Sequence, residues 1–270
     1  MKLDENSVCP VVGEHFGKRM RLIPHDYLKY IHTQQWASWW YPEVVQYIDT
    51  RIKPIDHGLL ADIDQTIKDM FFWKYITYPT TSQLIENLIR SVGATNVLEI
   101  GMYSGFTSLY MVRAVHPHGF CTSLDVRDLR RGDEEKPNDG VIFDRLEELG
   151  YFRFLKGSLY AYPEFCPDPS ATIEALRSRA PYDFVFIDSS HVVPDTIKEL
   201  RVLWTLTEPG AMFVFHDCDG WGNVANQMHR FVCSMVDSGH FQGLVVPTCH
   251  RMDHWEPCNL GVFRRTALDI

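Results

Sequence analysis

No apolar run in the 270-residue chain approaches the roughly 18–20 residues needed to span a bilayer, so no membrane-spanning helix and no membrane partner is expected. Cysteine is sparse. Cys9, Cys121, Cys166, Cys218, Cys233, Cys249 and Cys258 are odd in number, widely spaced and without a C-x-x-C pair, which argues for reduced thiols and against a disulfide framework. Basic charge is in deficit: 26 lysines and arginines stand against 35 aspartates and glutamates, a net charge of −9. A surface that repels polyphosphate disfavours a nucleic-acid partner. The first residues, with Asp4 and Glu5, lack the basic-then-apolar form of a secretory signal, and the expected location is cytoplasmic. No internal repeat or low-complexity stretch is visible. What is present, 45% hydrophobic and 23% charged residues, is the composition of a globular chain with a sizeable core. The length suits one ordinary domain with an appendage, not two large domains.

From Asn96 onward, short β-rich runs alternate with helix-length amphipathic segments, the pattern of βαβ units and a parallel sheet. The spacing predicts strands at Asn96–Ile100, Gly119–Asp125, Phe152–Lys156, Tyr182–Asp188, Ala211–His216, Gly243–Pro247 and Asn259–Arg264. Helices are expected at Ser104–Val115, Val141–Leu149, Thr172–Arg179, Pro194–Thr205 and Asn223–Asp237. The last two strands have no helix between them, so a terminal antiparallel pair should close an otherwise parallel sheet. Arg130–Gly140 and Tyr162–Pro169 carry the Gly, Pro and Asp of surface connections.

The first 77 residues have no strand run of this quality and hold four of the seven tryptophans, Trp36, Trp39, Trp40 and Trp73. This segment reads as helical. Leu59–Ile76 fits an amphipathic helix, and Ser82–Val92 fits another, capped by Thr81 or Ser82. Its aromatic density fits a lid over an active site, a homodimer surface, or a helical layer packed on the sheet. The expected division is a helical extension over 1–77 and an α/β domain over 78–270.

The sharpest local signal runs from Val97 to Ser108, an apolar strand entering a glycine turn and then a helix. In an open α/β sheet, ligands bind at the carboxyl ends of the strands, where such turns lie. The G-x-G-x-x-G dinucleotide fingerprint is missing, because Met102 and Tyr103 follow Gly101 directly and Gly105 comes four residues on. Glu99, just before the turn, repels a pyrophosphate and attracts a cation. S-adenosylmethionine fits that sign, with its carboxylate at the N–H groups of the helix start. Asp125 ends the next strand, close to the separation of about 20 residues expected of a ribose-binding acid.

The run Tyr78-Pro79-Thr80-Thr81-Ser82-Gln83-Leu84, then Val97–Ser108, Ser123-Leu124-Asp125 and Phe184-Val185-Phe186-Ile187-Asp188, resembles the class I S-adenosylmethionine-dependent methyltransferases. Within them it is most similar to the catechol and caffeoyl-CoA type O-methyltransferases and to bacterial natural-product relatives. The resemblance spans about residues 78–265. It implies a doubly wound, Rossmann-like, seven-stranded sheet with a final antiparallel hairpin. It also implies a cofactor site over Glu99, Gly101, Met102, Tyr103, Ser104 and Gly105, with Asp125 and Val126 at the ribose, Gly157 and Ser158 at the adenine, and Asp188 alongside. The implied reaction is methyl transfer to a hydroxyl of a small-molecule metabolite. N-methylation of an amine and nicotinamide-dependent oxidoreduction are the alternatives, with a non-catalytic scaffold or a non-methyl chemistry such as hydroxylation behind them.

Asp188 and Asp217 both fall at carboxyl ends of neighbouring strands. In the catechol-type enzymes the position of Asp188, with an Asp-Asn pair after the next strand, holds a divalent cation; here Cys218 stands where Asn or Asp is usual. Asp188, Asp217 and Cys218 are therefore the metal candidates. Oxygen ligands with Asp219 suit Mg2+, whereas a thiolate with imidazoles suits zinc. His191 has the offset from Asp188 of the family's catalytic base, and a histidine pKa near about 6.5 suits a proton acceptor at neutral pH; a helix-capping or solvated role is the alternative. His216 is the rival base or ligand, or else a buried, backbone-bonded histidine. The segment from Cys249 to Cys258 reads as a substrate-contacting loop, a zinc site or a plain hairpin loop, and Trp221 as a stacking surface or a structural residue.

Overall fold

The computed structural model describes residues 58–70, 77, 79–130, 140–218, 222–249 and 257–270. In chain order the elements are α1 (Leu59–Met70), α2 (Pro79–Val92), β1 (Asn96–Ile100), α3 (Phe106–Val115), β2 (Phe120–Asp125), α4 (Val141–Glu148) and β3 (Phe152–Lys156). They continue with α5 (Ser170–Arg177), β4 (Tyr182–Ile187), α6 (Val193–Leu206), β5 (Thr207–Phe215), α7 (Gly222–Asp237), β6 (Phe241–Cys249) and β7 (Pro257–Arg265).

The strands form one seven-stranded sheet in the order β3-β2-β1-β4-β5-β7-β6. β1 to β5 pair in parallel, and β7 runs antiparallel to both β5 and β6. Strand order reverses between β1 and β4, and a crevice opens at that point on the carboxyl edge. The strands are apolar on both faces because both are covered. Val97, Phe184, Phe186 and Val214 pack with Ile63, Ile85, Leu109 and Leu146 of α1 to α4. The alternate residues Leu98, Val185, Ile187, Phe213 and Phe215 pack with Leu176, Leu200, Leu203 and Val232 of α5 to α7.

Every residue of α3 is buried, including Arg113, because α1 and α2 cover its outer side. That buried guanidinium is held by Asp64 of α1, at 2.6 Å, and by Glu86 of α2, as a charge taken out of water requires. Leu59–Met70 is thus a helical layer packed over α3. Trp36, Trp39, Trp40, Trp73 and the lid and dimer alternatives lie outside the described residues. Among the described residues, no helix is long and apolar enough to cross a membrane.

Two elements start three or more residues from where the sequence reading put them, and the other starts shift by at most two. α2 begins at Pro79, so Thr81 and Ser82 lie inside it and do not cap it. Proline suits a first turn, whose N–H groups need no intrahelical partner, and the Ser82 hydroxyl instead bonds that of Thr107 in α3, at 3.2 Å. β5 begins at Thr207, not Ala211: Thr207 pairs with Tyr182, and the register shifts before the ladder resumes at Met212. Pro209 and Gly210 mark this irregularity within a strand, not its boundary.

Candidate active site

Hydrogen bonds carry the sheet ladder one residue past its strands and level the site. Gly101 N–H donates to the Leu124 carbonyl at 2.8 Å, Asp188 N–H to Ile100 at 2.8 Å, His216 N–H to Ile187 at 2.9 Å, and Gly157 N–H to Asp125 at 2.8 Å. The four turns enclose a cleft of about 460 Å³. A Cβ on Gly101 would lie 2.1 Å from the Asp188 carbonyl oxygen, and its φ is +91°, so only glycine lets the first turn approach β4. Among the described residues the non-glycine positions with positive φ are Tyr103, His191 and Asp217. All three line the cleft. Such conformations cost about 1–3 kcal/mol each and persist where the surroundings hold them.

On the β1–β2–β3 side, Glu99 is 1% exposed. Its Oε2 accepts hydrogen bonds from Ser108 and, at 2.5 Å, from Ser123, while its buried Oε1 has no partner. Burial pushes its carboxyl up to about 8. Burial thus favours the neutral acid, and a cation beside it would favour the carboxylate. Asp125 accepts the Tyr103 N–H on Oδ2 at 2.8 Å and the Arg127 N–H on Oδ1 at 3.0 Å. The start of α3 has no side-chain cap, and the buried Ser104 hydroxyl lacks a partner. Met102, Tyr103, Ser104, Val126, Gly157 and Ser158 also line the cleft, but Gly105 does not. A Cβ there would meet Phe143 and Met102 at 2.3 and 2.5 Å, so Gly105 shapes the helix entry against the core.

On the β4–β5 side, His191 Nε2 lies 3.3 Å from Asp217 Oδ2 and 3.6 Å from Asp188 Oδ1. His216 Nδ1 lies 3.0 Å from Asp188 Oδ1 and 3.3 Å from Asp217 Oδ1. Burial opposes ionisation of Asp188, yet the imidazoles of His216 and His191 hold its carboxyl below the ordinary carboxylate range, against the charge of Asp217. Ligand atoms of Asp188, His191 and Asp217 lie within 4.8 Å of one another. Cys218 does not join them. It is fully buried in the core, its Sγ 3.8 Å from the His216 carbonyl oxygen and 3.1 Å from where a Cβ on Gly261 would sit. The backbone reversal at Asp217 (φ 53°) keeps His216 and Asp217 on the cleft while the next side chain enters the core. Asp219, Trp221 and residues 250–256 of the loop between the last strands lie outside the described residues.

Several cleft residues escaped the sequence reading. Thr77, 7% exposed, donates from Oγ1 to Asp188 Oδ2 at 3.3 Å; nothing in its neighbourhood marks it. Tyr160 and Tyr162 line the cleft, the second from a stretch read as a surface connection. Glu199 is 3% exposed on α6, and here a signal exists. It lies three residues after buried Thr196 and four before buried Leu203, an acid on the apolar stripe of its helix.

Comparison with known proteins bears on this geometry. A family model described as "Methyltransferase domain" matches residues 98–218, and one described as "O-methyltransferase" matches residues 51–131. Tricin synthase 1 of Oryza sativa subsp. japonica is 26% identical over 184 residues, 66% of this chain and 67% of the rice protein. The O-methyltransferase from Bacillus cereus, solved in complex with SAH, is 16% identical with a TM-score of 0.55, covering 82% of this chain and 97% of that one. TomG from Streptomyces achromogenes, an O-methyltransferase involved in tomaymycin synthesis and solved with SAM, is 18% identical with a TM-score of 0.53, covering 81% and 94%. The sheet order and the turn at Gly101 accompany the match to a methyltransferase domain over residues 98–218. Over residues 51–131 the chain is similar to the O-methyltransferase family.

Proposed function

We propose that this protein methylates a hydroxyl of a small-molecule metabolite in natural-product biosynthesis, with His191 as the base. The observation that carries the assignment of the base is the seating of His191 Nε2 between Asp217 and Asp188 on the cleft wall. TomG, which shares the fold and is involved in tomaymycin synthesis, supports the metabolite class.

The residues present fit the cofactor. The partnerless Oε1 of Glu99 suits a cationic group, the uncapped start of α3 suits a carboxylate, and Asp125 keeps lone pairs for ribose hydroxyls beyond the two it gives to backbone N–H groups. When bound, S-adenosylmethionine supplies a methyl carbon on an already activated sulfonium. The chain's own work is then alignment and proton handling, and alignment alone lowers such barriers by several kcal/mol. His191 takes the hydroxyl proton at Nδ1, while Nε2–H donates to Asp217. Asp217 orients its ring, and Asp188, steadied by His216 and Thr77, stabilises the imidazolium that results.

The convergence of Asp188, His191 and Asp217 within 4.8 Å favours a second reading of the same side chains. Two carboxylates and an imidazole fit a divalent cation, which would lower the pKa of a substrate hydroxyl. The same account takes the protein to act in the cytoplasm and not on nucleic acid, in line with its net charge of −9. It assigns the aromatic segment before residue 58 to a homodimer contact, which sedimentation of a shortened chain tests.

The deciding experiment incubates the protein with methyl-labelled cofactor and a panel of phenols, hydroxy acids and amines, with and without Mg2+. Label on hydroxyl oxygen supports the reading, and label confined to amines refutes it. If a chelator abolishes turnover and Mg2+ restores it, the carboxylates hold a cation; if turnover is unaffected, their role is to orient His191.

A further inference from the structure

Five carboxyl side chains line the cleft: Glu99, Asp125, Asp188, Asp217 and Glu199. The first two stand at the carboxyl ends of β1 and β2, and the next two face the histidines. Glu199 has no part in that scheme. It rises from α6 into the corner where the loop after β3, Gly157 to Tyr160, meets Ser189 and Ser190 after β4.

The carboxyl of Glu199 is almost wholly withdrawn from solvent, and burial raises it to about 7. A buried acid is costly unless it is hydrogen-bonded. Here Oε2 accepts the Ser189 hydroxyl at 2.8 Å, and no other hydrogen bond reaches the group from the described residues. The nearby cation does not compensate it either, since Lys198 Nζ pairs with Asp195 at 2.8 Å and lies over the Tyr160 ring. The loop after β3 brings no acid of its own, and its Ser158 oxygen already accepts the Tyr160 N–H at 3.3 Å. Glu199 is thus the carboxyl of the cleft lining that faces this corner, bonded to a single hydroxyl, and it suits a ligand edge that donates.

With the ribose at Asp125, the ligand part that reaches this corner is the nucleobase. We propose that Glu199 accepts a hydrogen bond from the exocyclic amino group of the cofactor's adenine and so sets the specificity for that base. This rests on the reading of the cleft as an S-adenosylmethionine site and goes beyond it. Above about pH 8, where the Glu199 carboxyl is ionised, replacing the amino group by a carbonyl, as in hypoxanthine, sets oxygen against oxygen and leaves the acceptor unpaired, the situation in which polar sites discriminate most strongly.

The test is calorimetric titration of the full chain at about pH 8.5 with S-adenosylhomocysteine and with its deaminated counterpart, S-inosylhomocysteine. The wild-type protein is expected to bind the amino form at least about tenfold more tightly. Glu199→Gln, the same size and able to turn its amide toward a carbonyl, should bring the two affinities within about threefold, and Glu199→Ala should do so by weakening the amino form alone. Equal affinities in the wild type, or a preference that survives in Glu199→Gln, would overturn the proposal. A wild-type protein that takes up neither nucleoside would overturn the cofactor reading itself, so the two failures are distinguishable.

Discussion

On the β1–β2–β3 side of the cleft, short hydrogen bonds fix the acids in place: two backbone N–H groups hold Asp125 and two serine hydroxyls hold one oxygen of Glu99. On the β4–β5 side, two carboxylates and two imidazoles face one another at 3.0–3.6 Å, and their arrangement depends on which of them carries a proton. The first half is a preformed cradle whose geometry is set by backbone. The second is an electrostatic cluster whose state a substrate proton, or a cation, changes. Binding should therefore depend on the first half and turnover on the second.

Substitutions break this comparison in graded ways. His191→Ala should lower kcat by about 10²-fold or more while leaving the Kd for S-adenosylhomocysteine within about threefold; a loss confined to Kd would move His191 to the binding half. Gly101→Ala forces a Cβ onto the Asp188 carbonyl in a left-handed conformation. It should lower Tm by several degrees, for a cost of about 1–3 kcal/mol or more, and weaken both binding and turnover, because it is the seam between the halves. Unchanged thermal unfolding would show that the turn is slack. Thr77→Val removes the hydroxyl that steadies Asp188, for about 0.5–1.5 kcal/mol, and should cost kcat up to about tenfold with Kd nearly constant.

The smallest effect concerns pH. Glu99 ionises near 4.5 in the unfolded chain and at about 8 in the folded one. The folded state therefore holds the proton longer, and the contribution of the neutral acid to stability is complete below pH 4.5 and lost as the pH rises toward 8. Glu199, raised to about 7, adds in the same direction. Tm should fall from about pH 5 to about pH 8, and Glu99→Gln should flatten that slope; an unaltered slope would mean that Glu99 is already ionised in the free protein.

The same contrast explains what the sequence made legible. The turn at Gly101 and the acid at Asp125 are local features, a strand running into glycines and an acid at a fixed distance, and such features survive without knowledge of packing. The burial that raises Glu99 is recorded by no neighbour in sequence. Cys218 was grouped with Asp217 by adjacency, but the backbone reversal at Asp217 sends it into the core. The parallel sheet and its closing antiparallel pair followed from the alternation of strands and helices, whereas the start of β5 did not, since Pro209 and Gly210 read as a break and the pairing of Thr207 with Tyr182 is a long-range fact.

The division of labour is tested most directly by titrating S-adenosylhomocysteine into the wild-type protein, His191→Ala and Asp125→Ala. The account predicts one-to-one uptake by the first two with similar Kd and a Kd at least about tenfold weaker for the third, as loss of a charged acceptor requires. Undiminished uptake by Asp125→Ala, or uptake abolished in His191→Ala, would contradict it.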